Sequence, residues 1–225
     1  KKIIKEFFHG VSVIEYLIKN LKKEFKNKQI VLITSKSNQD LILTKIAKKN
    51  GILFFRGHAK DVLDRMLKAS EKFNFKNIIS CTADNPLVDT SYSKKILRFH
   101  KKRKNDLTTN LTLPIGMFTY AVNVNSLKKV VKKKNSKNTE TWIDYFKKMK
   151  SFKVEDFGKP TFKSKLRLTI DFYEDFKTVN EVLFNCSKKF PKLNEILKLS
   201  KKKPYIFKIN SHIIQKSVTK PKFKK

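Results

Sequence analysis

The sequence predicts an α/β fold with a mixed, mostly parallel sheet and helices on both faces. Two observations predict it. Apolar runs such as QIVLIT (Gln29–Thr34) and NIISC (Asn77–Cys81) have strand length and no polar alternation, as expected of strands covered on both faces. Between them, apolar residues recur every three or four positions, the spacing of amphipathic helices. Helices alternating with strands over short connections favour parallel pairing through right-handed crossovers.

Val11 to Phe25 reads as the first helix, with Val13, Tyr16, Leu17, Leu21 and Phe25 on one side. Gln29–Thr34 is a strand, and polar Ser35–Asn38 can cap a helix running to Asn50, where Asn50-Gly51 ends it. Ile52–Phe55 is a strand, Asp61–Phe73 a helix, Asn77–Cys81 a strand and Ser91–Lys104 a helix. Asp106–Asn110 and Met117–Val124 are strands, and Ser126–Lys134 and Thr139–Met149 are helices. Leu166–Ile170 reads as a further central strand, followed by helices at Tyr173–Ser187 and Asn194–Leu199. Residues 1–215 then form one domain, and 216–225 a basic, proline-containing tail expected to be disordered.

The formal net charge of +34 would ordinarily suggest nucleic acid or an anionic membrane. Only five of the 53 basic residues are arginine, however, and arginine is the preferred side chain for bidentate phosphate and base contacts. Lysine, asparagine, phenylalanine and isoleucine are abundant together, and all have AT-rich codons. Compositional drift therefore explains the charge without a specific nucleic-acid partner. No run of about 18 apolar residues exists, so no membrane span is expected. Cys81 and Cys186 form no metal-binding pattern and read as reduced thiols of a cytoplasmic protein.

Three segments carry chemistry. Cys81-Thr82-Ala83-Asp84-Asn85-Pro86-Leu87-Val88-Asp89 follows a predicted central strand, where open α/β sheets bind ligands. An Asp there can hold Mg²⁺ together with water and phosphate oxygens; the plainer alternative is a turn cap. Leu166-Arg167-Leu168-Thr169-Ile170-Asp171 again ends a strand on Asp, before Glu174-Asp175-Phe176. Asp84 and Asp171 are expected to meet across adjacent strand ends and share one metal, unless Asp171 is only the N-cap of the next helix. In Phe54-Phe55-Arg56-Gly57-His58, with Asp61-Val62-Leu63-Asp64-Arg65 after it, Gly57 permits close backbone approach. Arg56 either serves a ligand or pairs with Asp61 or Asp64.

In this order the segments resemble the cytidylyltransferase family of CMP-sugar-acid synthetases and spore-coat polysaccharide enzymes. Its motifs run RLPGK-x-L, RG-x-x-x-DVLDR, TGD-x-PL-x-D and LRLT-x-D-x-x-EDF. Thr139-Glu140-Thr141-Trp142 with Tyr145-Phe146 also looks like a subset of these enzymes. The resemblance runs from about Lys2 to about Lys216. It implies a Rossmann-like three-layer sandwich of the nucleotide-sugar transferase type. The implied reaction transfers CMP from CTP to a sugar or sugar acid with release of pyrophosphate, in bacterial surface-polysaccharide or glycan biosynthesis. Asp84 and Asp171 would be the Mg²⁺ ligands, Lys2 the catalytic loop lysine, and Arg56, Gly57 and Thr82 the nucleotide-binding residues. A homodimer is compatible with it.

Two departures stand out: Ala83 replaces the glycine of TGD, and Ile115 follows Pro114 where arginine is common. Because the first residue is Lys1, a truncated gene call or a fragment lacking the first strand and phosphate loop is expected, with a groove or an unpaired strand edge beside 77–81, weak CTP binding and poor or no turnover. The rival readings are a degenerate, non-catalytic nucleotide- or sugar-binding domain of the same fold and a nucleotide-sugar-dependent glycosyltransferase.

Overall fold

His9 and Gly10 both take positive φ, 49° and 73°, the conformation a two-residue hairpin requires at both central positions. Glu6–Phe8 (β1) and Val11–Ser12 (β2) therefore pair antiparallel. The first helix, α1 (Val13–Leu21), starts two residues later than the periodicity suggests. Ser12 is its cap: its hydroxyl accepts the Glu15 N–H at 3.4 Å, while the Glu15 carboxylate accepts the Ser12 N–H at 3.2 Å. This computed structural model describes residues 2–158, 165–214 and 221–224.

The elements that follow are β3 (Val31–Ser35), α2 (Leu41–Lys49), β4 (Leu53–Gly57), α3 (Val62–Lys72), β5 (Asn77–Ser80) and α4 (Thr90–Arg103). Then come β6 (Leu107–Thr109), β7 (Tyr120–Asn123), α5 (Val124–Lys133), α6 (Trp142–Lys147) and β8 (Val154–Asp156). The chain closes with α7 (Tyr173–Asn185), α8 (Leu193–Lys202) and α9 (Pro204–Lys208). β3 and β4 pair in parallel from Val31↔Leu53 to Ser35↔Gly57. The order β5-β7-β6-β8 forms a mixed sheet, in which β7 runs antiparallel to both β5 and β6, and β8 parallel to β6.

Alternation along β3 shows that both of its faces are covered. Leu32 packs with Ile14 and Leu17 of α1 and Leu43 and Ile46 of α2. Ile33 packs against a second cluster, which includes Leu63 and Met66 of α3, Leu127 of α5 and Phe146 of α6. A third cluster joins Phe7, Tyr16 and Leu87 to Val179, Ile196 and Ile206 of the last three helices. The α/β class is as expected.

One expected strand is not a strand. Leu166–Ile170 is buried at Leu168 and Ile170 but contributes only an isolated bridge, Ile115↔Arg167. Ile115 accepts the Leu168 N–H and donates its own N–H to the Leu166 carbonyl. The ladder stops there because Pro114 has no N–H to give and Gly116, at φ 94°, turns the chain away.

Among the described residues, β3 pairs with β4 alone and β5 with β7 alone within the sheets. Between β3 and β5 lies a cavity of about 480 Å³ lined by Val31, Ile33, Ile78, Ile79, Leu21 and Phe25. The open edge expected beside 77–81 is present.

The tail differs from its expectation over 221–224. Lys222 donates its N–H to Tyr145 Oη, the Phe223 and Tyr145 rings lie 5.3 Å apart, and Phe223 bridges Lys134. A single apolar ring in a basic segment suffices to dock it. Residues 215–220 lie outside the described residues.

His100 on α4 is 1% exposed, and its Nε2 has no partner among the described residues. Burial pushes its pKa from 6.5 down to about 4, against the opposing pull of Asp106. The folded ring stays neutral while the unfolded ring protonates, so stability present above pH 6.5 is lost as pH falls toward 4. At about 1.36 kcal/mol per pKa unit, the limit is about 3 kcal/mol. Thermal melts should show a decline between these pH values that His100→Gln flattens; an unchanged slope in that variant refutes the assignment.

Candidate active site

The segment after β5 turns back on itself at once: the Asn85 N–H donates to the Thr82 carbonyl at 3.2 Å. Thr82 is exposed, Asp84 half-buried, and Asn85 to Thr90 are buried. Asn20 of α1 holds this loop from beneath, donating to the Val88 carbonyl at 2.9 Å and the Pro86 carbonyl at 3.4 Å. Asp89 ends it, accepting the N–H groups of Ser91 and Tyr92 at the start of α4 and that of Leu193 at the start of α8. Asp89 is thus spent on two helix N-termini, and Asp84 is the loop's other acidic residue.

The Ile170 N–H donates to the Asp84 carbonyl at 2.9 Å, which sets Asp171 one residue away from the Asp84 backbone. The side chain of Asp171 is 29% exposed, and its Oδ2 accepts Arg167 Nη2 at 3.0 Å. Asp171 is not the helix cap. The residue flanking α7 is Phe172, and Asp175 supplies the acceptor, taking the N–H groups of Asp171 and Phe172 at 2.9 and 3.0 Å.

Asp175 is fully buried and collects three more donors: Arg167 Nε at 2.8 Å, Arg167 Nη2 at 3.0 Å and Asn210 Nδ2 at 2.8 Å. Burial alone would raise its pKa, but these bonds outweigh it and hold the carboxyl below the ordinary carboxylate value. Arg167 is likewise raised by its partners against the cost of burial. Neither Asp175 nor Asn210 was singled out as a site residue from sequence. The signal available for Asp175 is its spacing, four residues after Asp171 and eight after Arg167.

The other expected residues lie in other surroundings. Arg56 pairs with neither Asp61 nor Asp64. It donates from Nε to the Ser35 carbonyl at 3.1 Å and from Nη2 to those of Lys36 and Ser37 at 2.6 and 2.9 Å. Asp61 instead meets Lys134 and Thr139, and Asp64 pairs with Lys68. What lies close to Gly57 is Arg65, whose Cγ would stand 3.0 Å from an added Cβ. The backbone of Lys2 forms a 3-10 turn with Ile3 and Ile4, while its side chain lies outside the described part of the structure. Burial, reinforced by the charge of Asp84, pushes the Cys81 thiol up to about 12, so it stays protonated.

The donor set suits a hard cation. Asp84 and Asp171 offer carboxylate oxygens, and the buried Asn85 Oδ1 has no partner among the described residues. No cluster of three or more His, Cys, Asp or Glu gathers among the described residues. A cation here would therefore complete its shell with water and ligand phosphates, as Mg²⁺ does.

A mixed α/β sheet with Asp84 in the loop beyond the carboxyl end of β5 fits a ligand-binding α/β class. The comparisons narrow it. The cytidylyltransferase family model matches residues 1–213, and the chain belongs to that family. A cytidylyltransferase structure from Leptospira borgpetersenii superposes with a TM-score of 0.86 at 26% identity, covering 95% of this chain and 92% of that one. An uncharacterized protein of Methanocaldococcus jannaschii is 29% identical over 213 residues, 91% of this chain and 86% of that protein. The spore coat polysaccharide biosynthesis protein SpsF of Bacillus subtilis is 36% identical over 98 residues, covering 44% of this chain and 41% of SpsF.

Proposed function

We propose that the chain transfers CMP from CTP to a hydroxyl of a sugar or sugar acid and releases pyrophosphate, in surface-polysaccharide or glycan biosynthesis. The observation carrying this reading is the Ile170–Asp84 hydrogen bond, which brings the backbone before Asp171 against the Asp84 loop. Family membership supports the nucleotide, and the likeness to SpsF supports a polysaccharide precursor as acceptor.

Asp84 and Asp171 would hold Mg²⁺. Once bound, it neutralises charge on the nucleotide phosphates and orients the α-phosphorus for in-line attack. The protein's own contribution is positioning. Arg167 and Asp175 fix Asp171, Asn20 fixes the Asp84 loop, and the Arg56 clamp sets the loop after β3. Phe172, 54% exposed beside Asp171, offers a flat apolar face at the rim.

Incubation with CTP, Mg²⁺ and a panel of sugar acids should release pyrophosphate with one acceptor and require CTP over ATP, GTP and UTP. Binding of CTP without release under every acceptor would favour a non-catalytic domain. Release of free nucleotide diphosphate from a nucleotide-sugar would favour a glycosyltransferase.

A further inference from the structure

Asp171 shares the Nη2 group of Arg167 with Asp175, at 3.0 Å to each carboxylate. An arginine against a metal-holding carboxylate is at first sight an obstacle, since its fixed positive charge repels a cation. The arrangement resolves this. Asp175 engages Arg167 through two parallel bonds, from Nε at 2.8 Å and Nη2 at 3.0 Å, whereas Asp171 meets the guanidinium through Nη2 at 3.0 Å. Arg167 is 6% exposed and Asp175 fully buried, so water screens neither.

We propose that Asp175 is a positioning residue whose negative charge cancels that of Arg167, so that Asp171 can be held by the guanidinium and still bind a divalent cation. The assignment rests on the metal reading given above. Arg167 supplies geometry, fixing the Asp171 carboxylate from one side. Asp175 removes the electrostatic penalty of that geometry and also anchors the Asp171 and Phe172 N–H groups. The trio of Arg167, Asp171 and Asp175 carries a net charge of −1. Neutralising Asp175 brings it to zero and leaves a bound cation facing the guanidinium without the Asp175 charge.

The test is direct binding of Mn²⁺ in the presence of CTP, read from the free-ion EPR signal, with circular dichroism and thermal melts monitoring the fold. Asp175→Asn should weaken Mn²⁺ at least tenfold. The neutral double variant R167Q/D175N should return it to within threefold of the original, because cation and counter-charge leave together. A brace that only supports the fold gives the opposite pattern, with the double variant as weak as the single or weaker. Either that pattern or an unchanged affinity in Asp175→Asn overturns the assignment. Should Asp175→Asn not fold, comparing the original with R167Q/D175N still decides between the two. Asp171→Asn separates this inference from the reading beneath it: unaltered Mn²⁺ binding in both Asp84→Asn and Asp171→Asn shows that no metal sits there, and both fall.

Discussion

Asp84→Asn should lower CTP-dependent pyrophosphate release by roughly 100- to 1,000-fold, corresponding to about 3–4 kcal/mol of lost charge stabilisation at the phosphates. The substitution keeps the side-chain shape and the Asp84 carbonyl that receives the Ile170 N–H, so the fold should survive. The loss should appear mainly in kcat when Mg²⁺ is saturating, with partial recovery as its concentration is raised. Retention of more than half the activity at ordinary Mg²⁺ would remove Asp84 from the metal site.

Gly116→Ala should be the most damaging single change to stability. An added Cβ would lie 2.2 Å from Thr169 N and 2.3 Å from the Leu168 carbonyl carbon. Both are backbone atoms of the buried strip that carries Arg167 and leads to Asp171, so neither can rotate aside. The φ of 94° adds strain for any L side chain. Together these terms amount to about 3–5 kcal/mol, a fall in Tm of about 10 °C for a chain of this length. Gly10→Ala is the natural control: φ is also positive, 73°, but nothing lies within 4 Å of the added atom. Equal losses for the two variants, measured by thermal melting, would show that backbone strain alone sets the cost.

The parts legible in the sequence were those fixed by local pattern. Apolar runs exposed β3, β4 and β5 because strands packed on both faces need no polar alternation. Asp84 and Asp171 were singled out by their place after such runs, and the Ile170–Asp84 hydrogen bond brings their segments together. The hairpin at His9-Gly10 was missed because histidine is an uncommon host of positive φ, although it tolerates it better than most residues. Leu166–Ile170 misled because its apolar pattern reports burial, whereas a ladder needs partners with donors to give, and Pro114 has none. Arg56 was matched with acids close in sequence, yet Asp61 is claimed by Lys134, 73 residues away. The Asp175 brace was hidden for the same reason. Five donors converge on it, four from Arg167, Asp171 and Phe172 before α7 and one from Asn210, and the spacing to Arg167 and Asp171 does not show that convergence in space.

The cavity between β3 and β5 bears on how the protein behaves when concentrated. Two open strand edges beside one apolar trough invite intermolecular pairing. Lys76 and Lys101 stand on its lining, and lysine at an edge is a common guard against such pairing. The excess of 34 positive charges reinforces that guard by holding copies apart. Because salt shortens the range of that repulsion to about 10 Å at 0.1 M, the lysine-rich surface acts as a colloidal stabiliser strongest in dilute buffer. In saline solution the trough loses its electrostatic cover, and shelf life becomes a question of ionic strength before it is one of folding.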